Sequence, residues 1–371
     1  MPIDINIRKS ILLQEKVMLK VLKSLQFNKP LPQLLTELQQ AVRAYLREHK
    51  PKAPSPHDIV LVGGGSGSAV VGRALLEAGI HDFALVANVA DTLRDKTTRQ
   101  PVGAGILKLE YGIPDVVDIT KQLLHATPAK ARTELNQFLE LKPTESMRIG
   151  YLVLAALYRE LGDLQMAIQT LSEALGNTFD VVAVTTDITE LYLSDAKSEE
   201  FLDLYTFAQG SDGPPAKITL QPPTKLSPGA DKLLRMSKYI IIGPGDLHFS
   251  VLPHFLVQGF QQALSEARAR VIIVTNLTTR EVDTPNFTLK RLLDVYSRYL
   301  PKGLSCDAVV NINTATLPYE LEDDLNGETY GQFQIHRSDV VSTKTNNNQQ
   351  YVHDETKLGD VLINQFLRGQ R

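Results

Sequence analysis

The sequence predicts a doubly wound α/β fold on a mostly parallel sheet, Rossmann-like, with a helical extension at its N-terminal end. Three observations predict it. Six short runs are almost wholly apolar and rich in β-branched residues: 59–62 (IVLV), 83–89 (FALVANV), 181–185 (VVAVT), 239–243 (YIIIG), 271–276 (VIIVTN) and 308–313 (AVVNIN). Strands apolar on both faces belong to a parallel sheet covered by helices. Segments of helical periodicity alternate with them at 68–78, 116–124, 146–175, 252–267 and 288–299, the pattern of the doubly wound class. Glycine and proline gather in a few loops, and two of those loops follow apolar runs directly.

Taken in order, residues 1–50 carry two amphipathic stretches, with apolar residues from Ile11 to Leu25 and from Leu34 to Leu46 near a 3.6-residue period and Pro30 and Pro32 between them. The proline-rich PKAPSPHD then marks a semi-rigid linker at 51–57, so the two helices form an accessory element that packs on the main domain or on a second subunit. Residues 58–371 form the α/β domain. Within it, YLVLAALYRELGDLQMAIQTLSEAL resembles one tetratricopeptide unit, but a solenoid needs at least about three stacked units, so a helical hairpin is expected there. The stretch 210–231 reads as loops around an edge strand at KITL, and the polar TKTNNNQQ at 343–350 reads as a mobile turn region.

Composition narrows the function. The 371 residues are 43% hydrophobic and 22% charged, as in a globular protein rather than a disordered or fibrous one. With 39 Lys+Arg against 42 Asp+Glu, the net charge of −3 gives no reason to expect nucleic-acid or membrane-surface partners. Any bound anion is then expected to be held by backbone amides and helix ends. No signal-like or membrane-spanning segment is present, and the single cysteine, Cys306, rules out an intrachain disulfide and reads as a small buried residue of a cytoplasmic protein.

Two loops carry the chemistry. In IVLVGGGSGSAVV a strand runs into Gly63, Gly64, Gly65, Ser66 and Gly67 and then into a helix. Glycines let the backbone approach a bound group, and the free N–H groups and dipole of a helix start favour an anion. The loop lacks the Lys-Ser/Thr pair of a Walker A motif, and Val70 stands where the third glycine of a dinucleotide fingerprint would be. In KYIIIGPGDLHFSVLPHF a buried strand runs into Gly243, Pro244 and Gly245, a second backbone-rich anion site at the same sheet edge. Two such loops suggest a nucleotide with two phosphates, or a nucleotide plus a phosphorylated partner. The second strand ends in ANVADT, placing Asn88 and Asp91 at this edge, where an acid could bind a divalent cation or a ribose. The loop after it carries Arg94, Lys96 and Arg99, able either to close over phosphates or to form a solvated turn. His248 sits at the ligand edge, while neither it nor His254 has metal-ligand spacing.

These residues resemble the family that unites archaeal-type 2-phospho-L-lactate transferase with the YvcK-type gluconeogenesis factors. VGGGSGS matches the family's GGGTG loop, ANVADT its N-x-x-D-D segment, GPGDLHFSVLPHFLVQG its GPGSLYTSIIPNLLVPG, and VTNLTTREVDTPNFT its N-x-M-T-Q-x-G-E-T-x-x-Y, with VHDETKL near the end resembling HDPEKL. The resemblance implies that Gly63 to Gly67, Asn88, Asp91, Gly243, Gly245, Ser250, Asn276 and Thr279 line a nucleotide site. It also implies that Asp91, with Asp118, is the catalytic pair holding a Mg²⁺ ion that offsets diphosphate charge. Departures stand beside it: Thr92 replaces the second Asp, the sequence around Asp118 is DVVD, Tyr151 follows Gly150 where the family has Asn, and Asp246 replaces Ser in the GPG loop. They weigh against transferase catalysis more than against nucleotide binding.

The sequence thus leads to a cytoplasmic protein that binds a nucleoside diphosphate, a UDP-sugar by resemblance, and regulates central carbon metabolism or the cell envelope, with homodimerisation through the N-terminal helices. A metal-dependent phosphotransferase acting on a deazaflavin is the alternative, and a nicotinamide-dependent oxidoreductase a second one without a complete glycine triad.

Overall fold

The computed structural model describes residues 5–51, 54–90, 92, 94–95, 97–98, 100–144, 146–197, 200–211, 213–280, 282–312, 320–345 and 351–367. Helices α1 (Ile5–Lys23) and α2 (Leu31–Glu48) precede β1 (Ile59–Gly63), α3 (Gly65–Glu77) and β2 (Ala84–Ala87). A helical layer follows: α4 (Ala104–Tyr111), α5 (Val117–His125), α6 (Glu134–Glu140), α7 (Ile149–Leu161) and α8 (Leu164–Leu175). The chain continues through β3 (Asp180–Ala183), β4 (Glu190–Ser194), β5 (Leu202–Asp203), α9 (Leu204–Gly210), β6 (Lys217–Gln221), α10 (Pro228–Met236) and β7 (Tyr239–Ile242). After β7 come a π-helical turn (Leu247–Val251), α11 (Pro253–Leu256), α12 (Phe260–Glu266), β8 (Arg270–Val274), α13 (Leu289–Tyr299) and β9 (Cys306–Asn311). Strands β10 (Thr329–Tyr330), β11 (Phe333–Ser338), β12 (Val341–Thr345) and β13 (Tyr351–His353) and helix α14 (Glu355–Gln365) complete it.

The central sheet has eight strands in the order β10-β11-β9-β8-β7-β1-β2-β3, parallel throughout except at β10. All five residues of β1 are buried, as expected for a strand covered on both faces. From β1 the chain builds β2 and β3 to one side, and β7, β8, β9 and β11 to the other. The order therefore reverses between β1 and β7, whose register pairs Val62 with Ile242. The connections leaving these two strands diverge, and an open α/β sheet holds its ligands in the crevice this creates.

Helices α1 and α2 pack on the layer of α7 and α8. Their apolar stripe, including Leu22, Leu35, Leu38 and Val42, is continuous with the main core, and Arg43 grips Glu160 through Nε at 2.6 Å and Nη2 at 2.8 Å. Of the two arrangements open to this extension, packing on the main body is the one seen within the chain. The linker reaches β1 through buried His57, whose ring nitrogens lie 2.5 Å from Asp82 and 2.8 Å from Asp180. Although burial disfavours the imidazolium, these two carboxylates raise its pKa above the ordinary value.

Four local expectations are refined. Residues 146–175 split into the hairpin of α7 and α8 at Gly162, with φ +69°, where the Asp163 side chain accepts from the Met166 N–H at 2.8 Å. The helix expected at 252–267 is broken into two short ones: α11 starts at Pro253, a first-turn position that proline tolerates, and the chain turns before α12 at Gly259, which takes φ +97°. KITL forms β6 at the edge of a three-stranded antiparallel sheet, β5-β4-β6. Within TKTNNNQQ, residues 343–345 belong to β12, which pairs with β13, and 346–350 lie outside the described residues. Cys306 is buried, its thiol pushed up to about 12 by desolvation, which removes it from thiolate chemistry.

Candidate functional site

The loops leaving β1 and β7 meet face to face. Gly65 at the first turn of α3 has φ +65°, a conformation that favours glycine. Gly67 faces the Pro244 carbonyl so closely that a Cβ there would overlap it. The pairing thus depends on glycine at position 67. The β7 loop is held by Asn276 at the end of β8, whose Oδ1 accepts from the Gly245 N–H at 3.0 Å and whose Nδ2 donates to the Gly245 carbonyl at 2.8 Å. Behind the β1 loop, Gln122 of α5 donates through Nε2 to the Gly63 carbonyl at 2.6 Å and to Ser68 Oγ at 3.1 Å. The π-helical turn that follows Asp246 is capped by Asp283, which accepts from the backbone N–H groups of Leu247 and His248 at 2.6 and 2.9 Å.

These loops border a cavity of about 910 Å³. The predicted residues that line it are Gly64, Gly65, Ser66, Gly67, Gly245, Ser250 and Asn276. Gly63 and Gly243 lie behind the wall, where the Gly243 N–H donates to Val62 in the sheet at 2.9 Å. Asn88 is buried, its carbonyl accepting from the Ala90 N–H at 3.2 Å and its Nδ2 lying 3.5 Å from the Phe249 carbonyl, so it supports the loop rather than lining the cavity. Thr279 is likewise absent from the wall. Asp91 lies outside the described residues, as do Lys96 and Arg99. Arg94 turns away from phosphate binding: its Nη2 donates to Glu190 of β4 at 3.2 Å, with Asp203 at 3.9 Å.

Asp118, in the first turn of α5, is 3% exposed and packs beneath the glycine loop against Gly64 and Gly65. Its Oδ1 accepts from Lys121 Nζ at 3.2 Å. No group of three or more His, Cys, Asp or Glu gathers around a metal position among the described residues. Mg²⁺ commonly takes one or two carboxylates and completes its shell with water and substrate phosphates. Asp118 is not among the residues lining the cavity, and its partner is Lys121.

Basic side chains as well as backbone amides border this cavity, and most of them are paired with carboxylates. Arg73, Lys121, Lys130, Arg132 and Arg280 line it against Glu77, Asp246 and Glu355. Arg73 is fixed by Glu355 at 2.5 Å and by donation to the His125 carbonyl at 2.6 Å. Arg132 donates to the Thr127 carbonyl at 3.2 Å, and burial together with neighbouring Arg73 lowers its pKa. On the opposite side Asp246, with its side chain 45% exposed, lies 3.5 Å from Arg280. Desolvation and the Asp283 carboxylate push its pKa up against the pull of Arg280 and Lys121. None of these basic residues was singled out from sequence. Lys121 alone left a trace, one turn after Asp118 on the same helix face.

His248, expected at the ligand edge, is absent from the wall of this cavity, as is His254, whereas His125 lines it. His248 is buried with Nδ1 2.9 Å from Asp283, and His254 is wholly buried between the carbonyls of Val251 and Val86 at 3.0 and 3.2 Å. Another histidine, His353 of β13, does line the cavity, its Nε2 3.1 Å from the Thr275 carbonyl.

The model of the family described as 2-phospho-L-lactate transferase CofD matches residues 59–354. The chain belongs to the CofD family. A protein of Aquifex aeolicus is 29% identical over 328 residues, covering 82% of this chain and 95% of its own. The gluconeogenesis factor of Halalkalibacterium halodurans is 25% identical over 259 residues, covering 68% of this chain and 77% of its own. The crystal structure of a UPF0052 family member from Bacillus halodurans superposes with a TM-score of 0.70 at 20% identity over 83% of this chain and 99% of that one, which shows the shared fold. This CofD-family chain is thus YvcK-like in its relatives and doubly wound in its architecture. No helix among its described residues is long and apolar enough to cross a membrane.

Proposed function

We propose that the cavity binds a nucleoside diphosphate, with a UDP-sugar as its ligand, and that the protein acts as a regulator of metabolism. The observation that carries this is the apposition of two glycine loops at the reversal point of the sheet, above a cavity whose lining includes Arg73, Lys121, Lys130, Arg132 and Arg280, most of them beside carboxylate partners. The amides at the start of α3 and the GPG loop suit a diphosphate, and about 910 Å³ leaves room beyond it for a base and a sugar. In this reading Arg132 meets the outer charge, joined by Lys121 from its pairing with Asp118. Family membership and relatives known as gluconeogenesis factors support the regulatory reading. A thermal-shift screen over nucleotides and nucleotide sugars tests it. A ligand at about 100 times its dissociation constant adds nearly 3 kcal/mol of stability, and a flat response to every uridine compound contradicts the proposal.

A second reading, a transferase of a phosphorus-containing group, is favoured by Asp118 beneath the glycine loop and by the description of the matching family. Mg²⁺ would neutralise diphosphate charge there. Consumption of a deazaflavin alcohol in the presence of Mg²⁺, abolished in Asp118→Asn, would establish it, whereas nucleotide binding without turnover returns the protein to the first reading.

A further inference from the structure

A second cavity, of about 490 Å³, opens between α13 and the loops flanking the small three-stranded sheet. Its character differs from that of the first. Buried Phe287 and half-buried Tyr299 supply aromatic surface. Arg291 and Arg298, two turns apart on α13, present exposed guanidinium groups to the same opening. The Arg291 guanidinium lies over the Phe287 ring, 4.4 Å from its centroid, and His248 meets that ring edge-on at 6.3 Å. Stacking holds this guanidinium in place while leaving its N–H edge available to a ligand.

Neither Arg291 nor Arg298 forms an ion pair with a carboxylate among the described residues. Across the opening, Asp195 and Lys197 contribute opposite charges, so among the described residues the arginines leave the lining net positive. Two guanidiniums with no carboxylate partner among the described residues, beside aromatic surface in one cavity, form a recognition pattern for a planar ring bearing an anionic group.

We infer that this second cavity binds a small aromatic anion of the aryl phosphate or aryl carboxylate class. The anionic group bridges Arg291 and Arg298, and the ring packs against Tyr299 and the Arg291–Phe287 stack. The inference does not depend on the ligand of the first cavity.

Calorimetric titration of the full chain with phenyl phosphate, inorganic phosphate and benzyl alcohol tests it. Phenyl phosphate should bind about tenfold or more tightly than either comparator, since only it offers both charge and ring. Arg291→Gln combined with Arg298→Gln should weaken it by about tenfold or more, with an unchanged thermal midpoint because both side chains are exposed. Arg132→Ala, in the wall of the first cavity, should leave phenyl phosphate binding intact. Undiminished affinity in the double variant, loss in Arg132→Ala, or absence of phenyl phosphate binding would each overturn the assignment. If the glutamine pair unfolds, Arg291→Lys with Arg298→Lys replaces it: charge is kept while the planar fork is lost, and weakened binding supports the site whereas wild-type affinity refutes it.

Discussion

The buried carboxylate of Asp283 accepts two consecutive backbone N–H groups, from Leu247 at 2.6 Å and His248 at 2.9 Å, and the His248 ring nitrogen at 2.9 Å. One side chain thus fixes the turn that carries Asp246 and Ser250 into the first cavity. Replacing it by Asn keeps the shape but sets an amide donor against donors. We expect Asp283→Asn to lose about 2 kcal/mol in urea denaturation and to weaken nucleotide binding. A midpoint indistinguishable from wild type would show that the turn is held by other means.

Gly67 and Pro244 set a second expectation. Gly67→Ala pushes a methyl group into a backbone carbonyl that cannot rotate away, so the β1 and β7 loops must separate. Destabilisation of about 2 kcal/mol or more is expected, along with loss of ligand binding. Gly210→Ala, where a Cβ meets nothing within 4 Å, should be neutral or stabilise by up to about 1 kcal/mol. Equal effects of the two would remove the argument for close approach.

Asp246 places a negative charge where a phosphate is proposed to lie. Asp246→Ser should therefore raise nucleoside diphosphate affinity by about fivefold, the scale of a nearby charge pair at a partly solvated site. Because desolvation and the Asp283 carboxylate raise its pKa, the wild-type group takes up a proton at a higher pH than an ordinary aspartate. Wild-type affinity should therefore increase as pH falls through that window, and the serine variant should lose this dependence. Calorimetry at several pH values for both proteins decides the matter, and parallel pH profiles would exonerate Asp246.

Stability should depend on His353. Burial holds its pKa down to about 4 from 6.5, so the folded state keeps it neutral where the unfolded chain is already protonated. The sign follows directly: the contribution is intact above pH 6.5 and is lost as pH falls towards about 4, by about 3 kcal/mol in all. His254, also lowered by burial, acts in the same direction, while His57, raised by its two carboxylates, opposes both by favouring the folded state as protons bind. His353→Gln should flatten the acid limb of the denaturation midpoint against pH. An unchanged limb would locate the proton uptake elsewhere.

The strands of the sheet were legible because both-face burial writes itself as continuous apolar runs, as in Ile59–Gly63 and Tyr239–Ile242. The paired loops were legible for a related reason, since glycine is used where backbone meets backbone, as Gly67 meets Pro244. The short strands β4, β5, β10 and β13 were not, because two to five residues carry too little periodicity to register. Nor was the basic wall legible: Arg73, Lys121 and Arg132 are distant in sequence and become neighbours only when α3 and α5 pack together. Asn88 misled because its position at a strand end is right for a ligand residue, while its side chain is spent on Ala90 and Phe249.

The most direct test of the central claim is calorimetric titration of the full chain with UDP-N-acetylglucosamine, beside the Gly245→Asp variant, which puts a carboxylate into the loop clamped by Asn276. Saturable binding that is weakened in the variant is the predicted result. Absence of heat with UDP-N-acetylglucosamine and with UDP itself, in a protein shown to be folded, would contradict it.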